Sequence, residues 1–197
     1  TEYSSAQELL TLRHHVWDYN PDIVLLAFFS GNDVSDNSKK LTKKKYRPFF
    51  VLKDNSLILD NSFRQTKPYL MLKSNLGQLA IKISNYSRIM QISREIYVRY
   101  YFKSQAKKNL EKNKKITHEE GINYLQVFNP RNDIWKNAWK LTESIIKLMN
   151  KEIKERESKF IVITISTPVQ VHPDPNFRKT FKKKIGSNDL FYPDNRI

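Results

Sequence analysis

The chain has 197 residues, 39% hydrophobic and 12% aromatic, enough for one domain with a substantial core. No apolar run approaches the roughly 18 residues of a transmembrane helix, no signal peptide is visible, and the lack of cysteine excludes disulfides and Cys-ligated zinc. The net charge of +15 is mostly lysine, densest over Lys39 to Lys45, Lys103 to Lys115 and Arg178 to Lys184; a solvated basic surface is the favoured reading, an anionic partner the other.

The chain opens at Thr1 on the approach to a helix, and a preceding segment is expected. Ser5-Ala-Gln-Glu8 fits a capping box, and Leu9, Leu12 and Val16 then share one helical face. Asn20-Pro21 ends the helix, because the residue before proline avoids the α region. Asp22 to Phe29 is apolar on both faces, the pattern of a parallel strand covered by helices on each side. Phe49 to Leu52 and Leu57 to Leu59 flank a polar Lys53-Asp-Asn-Ser56 turn and read as a β-hairpin outside the main sheet.

Asn75 to Phe102 carries a long helical pattern, with Leu79, Ile83, Tyr86 and Met90 on one line and Ile89, Ile92, Ile96 and Tyr100 on another. Packing of this wide stripe against the sheet or a neighbouring helix is the expectation, with a lid or interfacial helix as the alternative. Lys103 to Glu120 is polar and basic, a loop or frayed helix end. A second helix begins near Asp133, with Trp135, Ala138, Thr142, Ile145, Met149 and Ile153 on its apolar face and a Glu143–Lys147 pair on its surface. Phe160 to Ser166 is another β-branched strand, closed by Thr167-Pro168.

Ser30-Gly-Asn-Asp33 follows the first strand directly, and in open α/β sheets ligands bind beyond the carboxyl ends of the strands. Gly31 permits a tight or left-handed turn. The Asn32 amide is a neutral donor suited to stabilising the oxyanion of acyl transfer. Gly, Asn and Asp are also ordinary turn residues, and spacing alone favours that plainer reading.

Ala6-Gln-Glu-Leu-Leu10, His15-Val-Trp17, Asn20-Pro-Asp-Ile-Val24 and Ser30-Gly-Asn-Asp33 together resemble the SGNH (GDSL-type) hydrolase superfamily. Arg47-Pro-Phe-Phe50, Trp139-Lys-Leu-Thr142 and Phe160-Ile-Val-Ile163 are similar to later parts of that family. The resemblance is closest over 6–37, less close over 133–170 and loose between. It implies a partial three-layer α/β/α sandwich, flavodoxin-like, as a single incomplete domain 1–197 with its core in 1–37 and 133–197 and an insertion over about 38–132. It implies a serine esterase or acyltransferase acting on acyl esters of a small molecule, glycan or lipid, with no cofactor and no metal. Asn32 takes the oxyanion-donor role, with Ser30, Gly31 and Asp33 supporting its loop.

The family's Gly-Asp-Ser nucleophile motif and its Asp-x-x-His pair are both absent from this sequence. The resemblance places them upstream of Thr1 and downstream of Ile197, and Glu2 falls where the family has its glycine donor. The 197 residues are therefore expected to be inactive alone. With the family's first strand missing, the two strands are expected to be next-but-one neighbours across a gap, and the fold marginal.

Other polar clusters read as structural. His172-Pro-Asp174 reverses the order of an acid–base pair and lies on a proline-rich loop expected near the mouth of the site. His14 and His15 point about 100° apart on a helix and cannot share a metal. His118 with Glu119 and Glu120 lies in the polar linker. Asp33 with Asp36 looks like a carboxylate pair, but Asp33 is expected to order its loop. Glycine occurs only at Gly31, Gly77, Gly121 and Gly186, so no dinucleotide fingerprint, P-loop or nucleophile elbow can be written. The alternatives to an ester-processing fragment are a basic module for an anionic surface, with nucleic acid less favoured and a membrane surface retained, or a degenerate non-catalytic family member. Localisation stays open, the cell envelope and secretion included.

Overall fold

The first helix, α1 (Ser5–His14), begins one residue earlier than its capping signal suggests: Ser4 is the N-cap, and Gln7 Oε1 accepts from the Ser4 N–H at 3.2 Å and from Ser4 Oγ at 2.7 Å. Glu8 is thereby released from capping. The computed structural model describes residues 3–42, 44–54, 56–111, 122–130 and 132–197. Ala6, Leu9 and Leu12 form the buried face of α1, and Val16 packs beside them from a short 3-10 turn.

Strand β1 (Ile23–Phe29) leads into the short helix α2 (Asp33–Asn37). The hairpin is β2 (Phe49–Lys53) and β3 (Ser56–Asp60), antiparallel and in the expected register about its polar turn. It packs on the main core, since Phe50 is buried among Leu9, Leu26 and Leu141. Helices α3 (Lys67–Lys73), α4 (Asn75–Tyr86) and α5 (Arg88–Glu111) follow. The expected single helix from Asn75 is thus broken at Ser87, whose extended backbone (φ −84°, ψ 113°) stops α4 and whose hydroxyl accepts from the Met90 N–H at 3.3 Å.

Helix α6 (Asp133–Lys154) is capped by Asn132, which accepts from the Trp135 N–H, and buries all six residues of the predicted face together with Trp139 and Leu141. Each such aliphatic side chain contributes about 1.5–3 kcal/mol when fully buried. The Glu143–Lys147 pair does not form: Glu143 instead accepts from Arg196 Nε at 2.6 Å, and the Arg196 guanidinium lies 4.6 Å from the Trp139 ring centre. That contact fastens the last helix, α8 (Tyr192–Arg196), to α6. Between them come β4 (Lys159–Ile165) and α7 (Pro175–Ile185), which Gly186 ends in the left-handed conformation (φ 71°).

The result is a mixed α/β fold with two small sheets. Strands β1 and β4 are direct parallel neighbours, Ile23 opposite Lys159 through Phe29 opposite Ile165. The expected gap between them is absent: the two strands pair directly along all seven residues. Contacts divide the chain into Thr1–Asn61 with His118–Ile197, and a second unit, Ser62–Thr117. The hairpin and the 122–130 segment, expected within the insertion, belong to the first unit.

Among the described residues, only one face of the parallel sheet is covered. Val24, Leu26, Phe28 and Val162 pack against α1, α2 and α6. On the other face Ile23, Leu25, Ile161, Ile163 and Ile165 are 42–54% exposed. The sequence pattern foretold helices on both faces; the described residues supply one helical layer. Ile163→Lys is therefore expected to change the stability of this chain by less than about 0.5 kcal/mol in urea melts. A loss of several kcal/mol would mean that this face is covered.

Candidate site at the carboxyl ends of the parallel strands

Phe29 and Ile165 are register partners, so β1 and β4 end at the same level and their following loops meet. Ser30 continues the ladder by donating its N–H to Ile165 O at 3.1 Å, and its hydroxyl lies 3.0 Å from Gln170 Oε1. Gln170 is buried and acts as a hub: its Oε1 accepts from the Thr167 N–H and hydroxyl, and its Nε2 donates to Leu190 O and Asp194 Oδ2. The turn after β4 is thereby tied to the Ser30 loop on one side and to the C-terminal segment on the other.

Gly31 is not left-handed, contrary to one use expected of it; the positive-φ glycine among the described residues is Gly186. Its need is steric. A Cβ there would lie 2.5 Å from Cζ of Phe29, so a side chain at this position would require that ring to shift. Gly31 O accepts from the Asn123 N–H at 2.7 Å, which brings the 122–128 segment over the loop.

Asn32 is the N-cap of α2 and half-buried. An asparagine here ordinarily caps with its own side chain, accepting from an N–H of the first turn. That bond is absent. The Ser35 N–H instead donates to Oε1 of Gln126 at 2.9 Å, and Nε2 of the same fully buried Gln126 donates to Ser30 O at 3.0 Å. Gln126 therefore performs the capping and leaves the Asn32 amide without a hydrogen-bond partner among the described residues. Asn32 O accepts from the Asp36 N–H and the Ser35 hydroxyl, which fixes its backbone.

Asp33 is fastened to the end of β1. Its Oδ2 accepts from the Phe29 N–H at 2.8 Å, and the side chain is buried. Desolvation, reinforced by the nearby Glu8 and Asp36 charges, raises its pKa from 3.8 to about 8, against the opposing effects of that hydrogen bond and Arg47. Glu8, freed from capping, is pushed up by burial to about 7. Arg47 closes the acidic cluster by donating to Asp36 O at 2.6 Å, with its guanidinium 3.6 Å from Asp36 Oδ1. Asp33 and Asp36 do not form a carboxylate pair around a proton; one holds the loop and the other holds Arg47.

These raised values set the sign of a pH effect. The Asp33 pKa is higher folded than unfolded, so its contribution is fully present below about pH 4 and lost as pH rises through about 8. The neutral, near-isosteric Asp33→Asn is expected to stabilise the chain at pH 8.5 by about 1–3 kcal/mol and to flatten the decline of the melting temperature between pH 6 and 8.5. An unchanged pH slope would show that Asp33 is ionised in the fold.

The remaining candidates are structural. His172 stacks on Phe177 with ring centres 4.0 Å apart, and its Nδ1 accepts from the Asp174 N–H. The Asp174 carboxylate caps α7 by accepting from the Asn176 N–H. His14 and His15 are both exposed, and no group of metal-ligating side chains occurs among the described residues. His118, Glu119, Glu120 and Glu2 lie outside the described residues. A cavity of about 310 Å³ is lined by Val127, Phe128, Pro130, Gly186, Asp189 and Tyr192 among others, and none of the four predicted site residues lines it.

Sequence reasoning did not single out Gln126, Gln170 or Asn37. Two are glutamines amid apolar neighbours, in Tyr-Leu-Gln-Val and Pro-Val-Gln-Val. That setting is the available signal, since a polar residue inside an apolar run is buried only with partners. No protein-family model, no curated protein and no solved structure matches this chain.

Proposed function

We propose that Asn32 is the oxyanion-stabilising donor of an acyl-ester hydrolase or acyltransferase site of SGNH type, and that the fold is part of that family's flavodoxin-like α/β/α sandwich. The observation that carries this reading is the release of Asn32 from capping by Gln126. A turn residue with no further role would use its amide locally, as asparagine does at most helix N-termini. An unpartnered amide on a backbone fixed at the carboxyl edge of a parallel sheet instead suits a reaction in which negative charge develops on a carbonyl oxygen. Attack of a serine hydroxyl on an ester carbonyl generates that charge, and donation from the Asn32 amide stabilises it until the carbonyl re-forms and the alcohol departs. Transfer to a second alcohol or to water then differs only in the acceptor.

The 197 residues carry neither Gly-Asp-Ser nor Asp-x-x-His. In this reading the nucleophile and its base come from polypeptide outside residues 1–197. The isolated chain is expected to give no turnover of an aryl acetate above buffer and no labelling by a fluorophosphonate probe. The whole gene product is expected to label on a serine outside this segment. Turnover by the isolated chain that Asn32→Ala abolishes would place a nucleophile within it. A whole gene product that neither labels nor turns over substrate would favour a degenerate, non-catalytic relative.

A further inference from the structure

The charge of the chain is not evenly spread. Residues 62–117, the second compact unit, hold 13 Lys and Arg against two Asp and Glu, a net +11 of the total +15. The same unit displays apolar side chains that a water-soluble helical hairpin would bury. Leu76, Leu79, Ile83 and Tyr86 recur at three- and four-residue spacing and form one stripe of α4. Ile89, Ile92, Ile96 and Tyr100 do the same on α5. All eight are between 50% and 89% exposed. Helical periodicity places Lys82 at the border of the α4 stripe, and Arg88 and Arg99 at the border of the α5 stripe. Among the described residues these side chains are exposed, where packing is the expectation from sequence.

We propose that the 62–117 unit binds the surface of an anionic lipid bilayer, with the two stripes seated among the acyl chains and the flanking Arg and Lys at the headgroups. The combination of features selects this partner. A large exposed apolar patch marks an interaction surface. A second copy of the unit fits it poorly, because each copy brings +11 to the interface. Nucleic acid would use the cations but gain little from Leu and Ile stripes. An anionic bilayer accommodates both at once. The helices lie on such a surface and do not cross it, for no described helix is long and apolar enough to span. This inference is independent of the ester-processing reading and stands or falls without it.

The test is sedimentation of the full 197-residue chain with vesicles of phosphatidylcholine alone and of phosphatidylcholine with 30% phosphatidylglycerol. Binding is expected to the anionic vesicles only, and to weaken as salt is raised. Ile89→Asp with Ile96→Asp is expected to cut partitioning by at least about a hundredfold. Each of Arg88→Gln and Arg99→Gln is expected to cut it by about fivefold. Circular dichroism checks helicity, and if the Asp variants lose it, the Arg→Gln series decides. Failure to bind anionic vesicles, or binding indifferent to both sets of substitutions, would overturn the proposal. So would steeply salt-dependent binding to duplex DNA without vesicle binding, or a dimer that buries the stripes and excludes vesicles.

Discussion

Asn37→Ala is expected to destabilise the chain by about 2–4 kcal/mol. Asn37 is fully buried at the end of α2. Its Oδ1 accepts from the Ala6 N–H at 2.9 Å, and its Nδ2 donates to Thr142 Oγ1 at 3.0 Å. Thr142 in turn donates to Ala138 O within α6. One amide thus satisfies an orphan N–H in the first turn of α1 and a hydroxyl in the middle of α6, joining three helices that are remote in sequence. Truncation strands the buried Ala6 N–H, and each buried polar group so orphaned costs about 1–3 kcal/mol. Asn37→Asp keeps the acceptor and loses the donor while burying a carboxyl, so at neutral pH it is expected to cost at least as much as the alanine. Urea denaturation monitored by tryptophan fluorescence measures both, since Trp135 and Trp139 lie in the buried face of α6. A cost below about 0.5 kcal/mol for Asn37→Ala would mean that α1, α2 and α6 are not joined through this side chain.

The elements legible in the sequence are those whose signal is local and repeated. The α6 stripe runs for 22 residues with one period, and each predicted face residue is buried. The β-branched runs of β1 and β4 and the polar hairpin turn are equally local. Signals with two near-equivalent solutions were misplaced by one step: Ser4 with Gln7 and Ser5 with Glu8 both write a capping box, and the structure uses the first. The direct pairing of β1 with β4 was missed because pairing partners 136 residues apart leave no mark in either segment (Ile23 opposite Lys159). The break at Ser87 was missed because the apolar stripe continues across it.

The candidate site was legible only in part. Ser30, Gly31, Asn32 and Asp33 are legible as a strand-ending turn, and Asp33 accepts from the Phe29 N–H within it. What makes Asn32 unusual lies in Gln126, 94 positions along the chain, whose side chain takes over the capping bond. The steric reason for Gly31 likewise depends on the fold of the loop over Phe29, which composition does not reveal.

The second large effect concerns Asn32 itself. Asn32 is half-buried and its side chain makes no hydrogen bond among the described residues, so its removal is expected to cost the fold little, within about 0.5 kcal/mol. Its expected effect on chemistry is far larger. A preorganised oxyanion donor acts on charge that exists only in the transition state, and losing one costs about 2.7–4 kcal/mol there. Ground-state binding of the ester does not use that charge, so KM changes little. This separation between an intact fold and impaired turnover distinguishes a catalytic amide from a turn residue, whose loss shows in stability alone. The direct measurement is the kcat of the whole gene product on an aryl acetate, before and after Asn32→Ala, with thermal melts of both. A fall of about 10²–10³-fold in kcat is expected, with KM and melting temperature nearly unchanged. An unaltered kcat, or a loss of activity matched by a loss of folding, would contradict it.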